Sequence, residues 1–270
     1  VSGIDASLFD LGRLDHLGRQ ETPLHRLDPR AKILTTAVFL VCVVSFGQYD
    51  VAPLLPYAIF PIALASAGRI PFDYLLKKLL IVSPFALLVG IFNPLLDQEP
   101  RLQLGSLAVS GGWISFMSIL LRFALTVSAA LVLIAITRFE NLCLGLQRLG
   151  VPQVFTLQLL FLYRYLFVLV DESRRLVRAR ALRSVGARGL GMRVYASLLG
   201  HLLLRTLDRA RRIHIAMRCR GFSGEIRSLQ PLRIGHPEML FTLGWCGIFM
   251  VLRIWNLPQI LGDLTLRLVT

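Results

Sequence analysis

Residues 113–137 read WISFMSILLRFALTVSAALVLIAIT, with Arg122 as the one charged residue. A helix rising about 1.5 Å per residue needs roughly 17–25 predominantly apolar residues to cross a bilayer. The run reaches that length only if Arg122 is included, because Phe123 to Thr137 alone is too short. An arginine facing lipid at mid-span costs about 2.5–3.5 kcal/mol on insertion scales. Two placements avoid that cost: against protein, as a gate or partner contact, or snorkelling to the headgroups.

Working outward, four more apolar runs follow the same rule. Ile33 to Tyr49 and Val51 to Gly68 are free of charge and read as a hairpin, the second arm made irregular by Pro53, Pro56 and Pro61. Leu79 to Leu96 is entered from Lys77 and Lys78, and its Pro84 and Asn93-Pro94 predict a kink and an early stop. Met239 to Leu257 is the last, with Arg253 placed to snorkel and Trp245 and Trp255 as interfacial residues. No cleavable signal peptide is expected, since the first apolar run begins only at Ile33.

The whole composition agrees. Of 270 residues 55% are hydrophobic and 17% charged, with mean hydropathy +0.64, against about 45–50% apolar and 25% charged for a soluble domain. Disorder is excluded. The chain nevertheless carries 30 Lys and Arg against 16 Asp and Glu, a net charge of +14. That charge is segregated: Asp171 to Arg233 holds fifteen arginines against four acids, a net of +11. Of the cations, 27 are Arg and only Lys32, Lys77 and Lys78 are Lys, which fits a GC-rich genome or a need for planar, permanently charged donors.

Cytoplasmic loops carry the Lys and Arg excess. Arg13, Arg19, Arg26, Arg30 and Lys32 before the first run, Arg69, Lys77 and Lys78 before the third, and the arginine block all fall on one side. The loops near Gln48 to Asp50 and Asp97 to Gly112 hold only Arg101 as a basic residue. The expectation is an all-α polytopic membrane protein of about five spans, N-terminus inside and C-terminus outside, with a cytoplasmic domain of long amphipathic helices. Arg267 on the outer tail disagrees mildly. The divisions are 1–31, an N-terminal cytoplasmic segment; 32–138, the first four spans; 139–235, the cytoplasmic domain; and 236–270, the last span and tail.

Within 139–235 a short amphipathic helix carries Leu142, Leu144, Leu146 and Leu149 and ends at Gly150 and Val151-Pro152. A long helix follows, apolar from Val154 to Val170 and arginine-rich from Asp171 to Arg183. Half of it belongs in grease and half in water. A second long helix runs from about Met192 to Cys219, with an apolar side (Tyr195, Leu198, Leu199, Leu202, Leu203) and a polar one (Arg205, Arg209, Arg212), on which Asp208 is spaced to pair with Arg212. It stops at Arg220-Gly221-Phe222, glycine suiting the left-handed position after a helix and arginine the negative end of its dipole. Each long helix thus leads from an apolar stem to an arginine-rich tip near a glycine. A solvated face or an anionic-lipid contact is the plainer reading of such charge.

These residues carry a resemblance. Ala216-Met217-Arg218-Cys219-Arg220-Gly221-Phe222, preceded by Arg205 to Ala210, resembles the second coupling helix of the transmembrane T component of energy-coupling factor (ECF) transporters, in the cobalt branch of the CbiQ type. His25 to Lys32 resembles that family's N-terminal lead-in, and Leu149-Gly150-Val151-Pro152 through Tyr163-Arg164-Tyr165-Leu166 and Asp171-Glu172 its approach to the first coupling helix. The similarity covers most of the chain. It implies a non-catalytic scaffold in the bacterial inner membrane. Its two arginine tips dock in grooves on two copies of an ABC-type ATPase, and its membrane part holds a substrate-binding integral membrane subunit, with or without a small accessory one. ATP and Mg would be bound by the ATPases, and the transported cobalt by the partner subunit.

The implied partner-binding residues are Arg218, Cys219, Arg220 and Gly221 at the second tip, where Cys219 replaces a commoner alanine. At the first tip they are either Arg183 with Ser184, favoured by spacing, or the literal triad Ala187, Arg188 and Gly189. Bidentate arginine–carboxylate pairs suit such a task because they transmit rotation with little slack.

Other chemistry was sought in the residues. There is no Gly-rich loop ending in Gly-Lys-Ser/Thr. Cys42, Cys143, Cys219 and Cys246 are far apart and read as small hydrophobes, and the histidines are scattered, so no cofactor or metal is expected on this chain. Asp171-Glu172 reads as a helix-surface pair beside arginines, and Gly105, Gly111 and Gly112 as a turn. Three alternatives stay open: a T component for nickel or a vitamin; a membrane enzyme using Asp171, Glu172 and the arginines on a phosphorylated lipid; and, less in keeping with so apolar a chain, a nucleic-acid binder.

Overall fold

The computed structural model describes residues 18, 20, 22–96, 100–104, 107–183, 191–224 and 235–255. These divide into two compact units, one holding the residues up to Gly145 together with 235–255, the other Leu146 to Gly224.

The first unit opens with a one-turn helix α1 (Pro23–Arg26) and α2 (Pro29–Val44). Asp28 starts α2 by accepting a hydrogen bond from the Arg30 amide at 2.9 Å, and Pro29 takes the first-turn position where a missing N–H costs nothing. Lys32, counted above among topology-setting charges, is 2% exposed. Its Nζ donates to the carbonyls of Ile136 at 3.1 Å and His25 at 3.3 Å, tying the lead-in segment to the end of a distant helix.

The second apolar run is not one helix. A 3-10 stretch (Ala52–Ala58) holds Pro53 and Pro56 and leads into α3 (Ile59–Ala67), whose first turn accepts Pro61. At rises of about 2.0 and 1.5 Å per residue the two pieces span about 27 Å, close to the ~30 Å hydrocarbon core. The third run begins earlier than expected, as α4 (Phe72–Gly90). It passes through Pro84, and the break falls after Gly90, before the short α5 (Phe92–Leu96). Gly90 lies under Phe116: a Cβ there would come within 2.8 Å of that ring.

Between α5 and the next helix the loop expected from sequence contains an antiparallel hairpin, β1 (Pro100–Leu104) with β2 (Leu107–Ser110), Leu102 facing Val109 and Leu104 facing Leu107. Gly111 and Gly112, read as part of a turn, are the first residues of α6 (Gly111–Ile136), while Gly105 lies outside the described residues. Among the described residues the fold is all-α apart from this ribbon. Next comes α7 (Phe139–Arg148). Gly150, at φ 109°, closes it in a Schellman motif, with Val151 N–H bonded to Leu146 O and Gly150 N–H to Gln147 O.

The last helix of this unit is α10 (His236–Ile254), numbered after the pair α8 (Gln153–Arg183) and α9 (Met192–Cys219) of the second unit. It closes an aromatic core. Phe39 stacks on Phe60 at 4.6 Å, Phe249 meets Phe60 edge-on at 5.1 Å, and the Tyr57 hydroxyl donates to the Phe249 carbonyl at 3.1 Å. Trp245 packs against this core, edge-on to Phe60 at 5.0 Å, and Trp255 is exposed.

Arg122 and Arg253 are resolved together. Arg122 donates to the Gly47 carbonyl, and Arg253 donates to the Ser45 carbonyl at 3.2 Å while its guanidinium lies 4.1 Å from the Phe46 ring centre. Both serve the carbonyl-rich turn that ends α2, where a helix presents unsatisfied acceptors and the negative end of its dipole. Arg122 is thus placed against protein, one of the two placements expected from sequence.

Among the described residues four helices are long and apolar enough to cross a membrane: Phe72–Pro94, Gly111–Ile136, Gln153–Arg183 and His236–Ile254. Ala52–Ala67 is a shorter apolar helix, and α2, at 16 residues, ends at Val44 instead of the expected Tyr49. The third of the four was expected to be only half apolar. The protein is a multi-pass membrane protein.

Candidate functional site

The second unit is built on α8 and α9. Pro152 precedes α8, and the Gln153 side chain donates to the Gly224 carbonyl at 3.1 Å. The start of α8 therefore lies beside the segment that follows α9. Further along, Glu172 of α8 meets Arg205 of α9 at 2.8 Å and Arg209 at 3.8 Å. These two ties make the helices antiparallel, with consequences for the tips. Arg183, the last residue of α8, lies about 16 Å beyond Glu172, and Arg220 lies about 22 Å beyond Arg205 in the opposite direction, by helical rise. The arginine tips are thus at opposite ends of the pair, a relation the sequence reading did not contain.

The second tip is closed by a glycine turn. Gly221 has φ 79°, a conformation that L side chains avoid. It allows a second Schellman motif, with Phe222 N–H bonded to Met217 O and Gly221 N–H to Arg218 O, both at 3.0 Å. Arg218 and Cys219 occupy the last helical turn and Arg220 the cap, and all three are exposed. A valine in place of Gly221 is expected to cost about 1–2 kcal/mol locally, the penalty for a left-handed L residue. Hydrogen exchange at the Gly221 and Phe222 amide positions should then quicken by about tenfold; unchanged protection would show that the turn does not need glycine.

At the first tip Arg183 is exposed. Ser184, Ala187, Arg188 and Gly189 lie outside the described residues.

Between the two ties runs a groove of about 490 Å³. Phe161, Val168 and Leu169 of α8 and Ile213 and Met217 of α9 give it apolar walls, and Phe222 contributes at the capped end. The Schellman cap therefore also places an aromatic ring in the groove, in the hydrophobic contact with Met217's position that this motif favours.

Glu172 is the residue the sequence reading undervalued. By sequence it forms a surface pair with Asp171; in the structure Asp171 pairs along its own helix with Arg174 at 3.6 Å, and Glu172 crosses to α9. The expected pair of Asp208 with Arg212 is not among the ion pairs of the described residues; Glu172 takes Arg205 and Arg209. The signal was present in the spacing, since arginines four apart lie one above the other on a helix face and can share one carboxylate.

Among the described residues no group of three or more His, Cys, Asp or Glu is placed to hold a metal ion. Cys143 is buried in α7, and burial pushes its thiol up to about 11, so that it is held as a neutral thiol. Cys219 alone of the four cysteines is exposed.

A multi-pass helical membrane protein with an antiparallel, arginine-tipped helix pair is thus what the fold and site define. Residues 20–232 match the family of the cobalt transport protein CbiQ. The chain belongs to this family, that of the transmembrane T components of energy-coupling factor transporters. It is 28% identical over 87% of its length to the energy-coupling factor transporter transmembrane protein EcfT of Heliobacterium modesticaldum, covering 94% of that protein. It is also 28% identical to EcfT of Bacillus subtilis, over 74% of this chain and 81% of the relative. Cobalt transport protein CbiQ of Salmonella typhimurium is 30% identical over 53% of this chain and 68% of its own.

Proposed function

We propose that this chain is the coupling subunit of an ATP-driven importer of a divalent transition metal, cobalt first among them. It would catalyse no reaction itself. The observation that carries the reading is the antiparallel placement of the two arginine tips. Two tips facing opposite ways suit two separate bodies, one ATPase copy per tip, with Arg220 at one and Arg183 or Arg188 at the other. ATP and Mg belong to those ATPases, and the metal to a substrate-binding membrane subunit seated against the exposed apolar faces of the membrane helices. The Lys and Arg bias supports a bacterial inner-membrane orientation with the N-terminus and the helix pair cytoplasmic and the C-terminus outside.

Cobalt is supported by the family's name and by the CbiQ relatives, whereas the relatives covering most of the chain carry no metal in their names. This favours a second reading, in which the partner subunit decides between cobalt, nickel and a vitamin. Affinity isolation of the complex from native membranes should yield two ATPase copies per chain. Vesicles containing it should accumulate radiolabelled cobalt on addition of ATP, in preference to nickel. Accumulation of nickel alone would replace the metal; accumulation of neither, with no ATPase recovered, would end the transport reading.

A further inference from the structure

We infer that Glu172 is the positioning residue that sets the spacing between the two arginine tips, an inference that rests on the coupling role proposed above. α9 contributes no fully buried side chain among its described residues, so close packing does not lock the rotation of one helix on the other. The surrounding charge is strongly positive, which drives the helices apart. Among the described residues, the ion pairs that cross from α8 to α9 are those of Glu172. Its side chain is 15% exposed, while the side chains of Arg205 and Arg209 are 62% and 44% exposed. An acid sunk at the contact is gripped by two cations reaching in from one face of α9.

Two oxygens held by two arginines one turn apart define both the register and the rotation of the pair, which a single contact cannot do. The other tie, Gln153 to Gly224, is one neutral hydrogen bond at the far end, and the groove lies open between. Exposed ion pairs are worth little in stability, about 0–1 kcal/mol. Glu172 matters by leverage instead: a rotation of about 10° at the crossing moves a tip roughly 22 Å away by about 4 Å. That exceeds the tolerance of a bidentate arginine–carboxylate contact.

The test uses the full chain in lipid nanodiscs, with Cys42→Ser, Cys143→Ala and Cys246→Ser as background. Spin labels are placed at native Cys219 and at Leu182→Cys, both exposed, in the last turns of the two helices. Glu172→Gln, which keeps the side-chain shape, should broaden the label–label distance distribution by roughly 4 Å, from the same lever. The charge-swapped variant Glu172→Arg with Arg205→Glu should narrow it again, which a loss of general stability would not do. Unchanged width in Glu172→Gln, or a swap that stays as broad as the single variant, overturns the inference. In the intact complex Glu172→Gln should lower ATP-driven uptake by about tenfold, within the range of coupling changes caused by residues that touch no ligand, while the ATPases still co-purify. Unchanged uptake beside a broadened distance would keep Glu172 as the spacing residue and count against the coupling role of that spacing. A wild-type chain that recovers no ATPase fails the coupling reading instead, and the distance measurement still decides the role of Glu172 in spacing the tips.

Discussion

Arg183→Ala combined with Arg220→Ala should reduce ATPase recovery with the affinity-tagged chain by at least about thirtyfold. Truncating an interface arginine that pairs with a buried carboxylate commonly costs 2 kcal/mol or more, and each 1.4 kcal/mol is tenfold in affinity. The two tips lie at opposite ends of an antiparallel pair, so the single variants should differ from the double in kind. Arg220→Ala alone should leave about half the ATPase bound through the first tip, an outcome that adjacent tips would not produce. Arg188→Ala in place of Arg183→Ala decides which arginine serves the first tip. Arg212, exposed on α9, is the control: its removal changes net charge as much as either single variant and should leave recovery unchanged. Full recovery and full uptake in both Arg183/Arg220 and Arg188/Arg220 double variants would sink the coupling role of the arginines. Equal losses from Arg212→Ala would mean that bulk charge, not the tips, holds the partner.

What could be read from sequence divides along a physical line. Features set within a few residues were legible: the apolar runs of three of the four long apolar helices, the fourth being read as half apolar, the amphipathic α7 with its stop at Gly150, and the glycine cap of α9 at Gly221. Helix periodicity and capping are local, and so they survive without tertiary knowledge. Features set by which side chains meet were not. Arg122 and Arg253 lie 131 positions apart, yet both donate to the turn after α2, and only the packing of α6 and α10 against α2 brings them there. Glu172 was visible as one acid among arginines, but its partner on α9 depends on how two helices are rotated about their axes. The β1–β2 ribbon escaped because five- and four-residue strands carry too short an alternation to separate from a polar loop. The opposite placement of Arg183 and Arg220 required the direction of each helix, which two long-range contacts supplied.

The aromatic core of the membrane unit bears the other large expected effect. Phe249 is 1% exposed and touches Phe39, Tyr57, Phe60 and Trp245, so Phe249→Ala removes the ring at which α2, the 3-10 stretch, α3 and α10 converge. In a water-soluble core such a truncation costs about 3–5 kcal/mol, part of it the transfer of the ring out of water. In a bilayer that part largely vanishes, because separated helices would leave the ring in lipid as apolar as the core itself. What remains is lost dispersion contact around the cavity, and about 2 kcal/mol is expected. Tyr57→Phe isolates the competing term: it deletes the hydroxyl that donates to the Phe249 carbonyl and keeps the ring. Polar contacts between membrane helices average about 0.6 kcal/mol, so this variant should lower the melting temperature of the detergent-solubilised chain by roughly a third as much as Phe249→Ala. If Tyr57→Phe proves the more damaging of the two, the hydrogen bond and not ring packing joins α10 to the 3-10 stretch, and the core must be understood as polar-pinned. If neither shifts the transition, the four elements are held elsewhere, and the buried Lys32 contacts to Ile136 and His25 become the next place to cut.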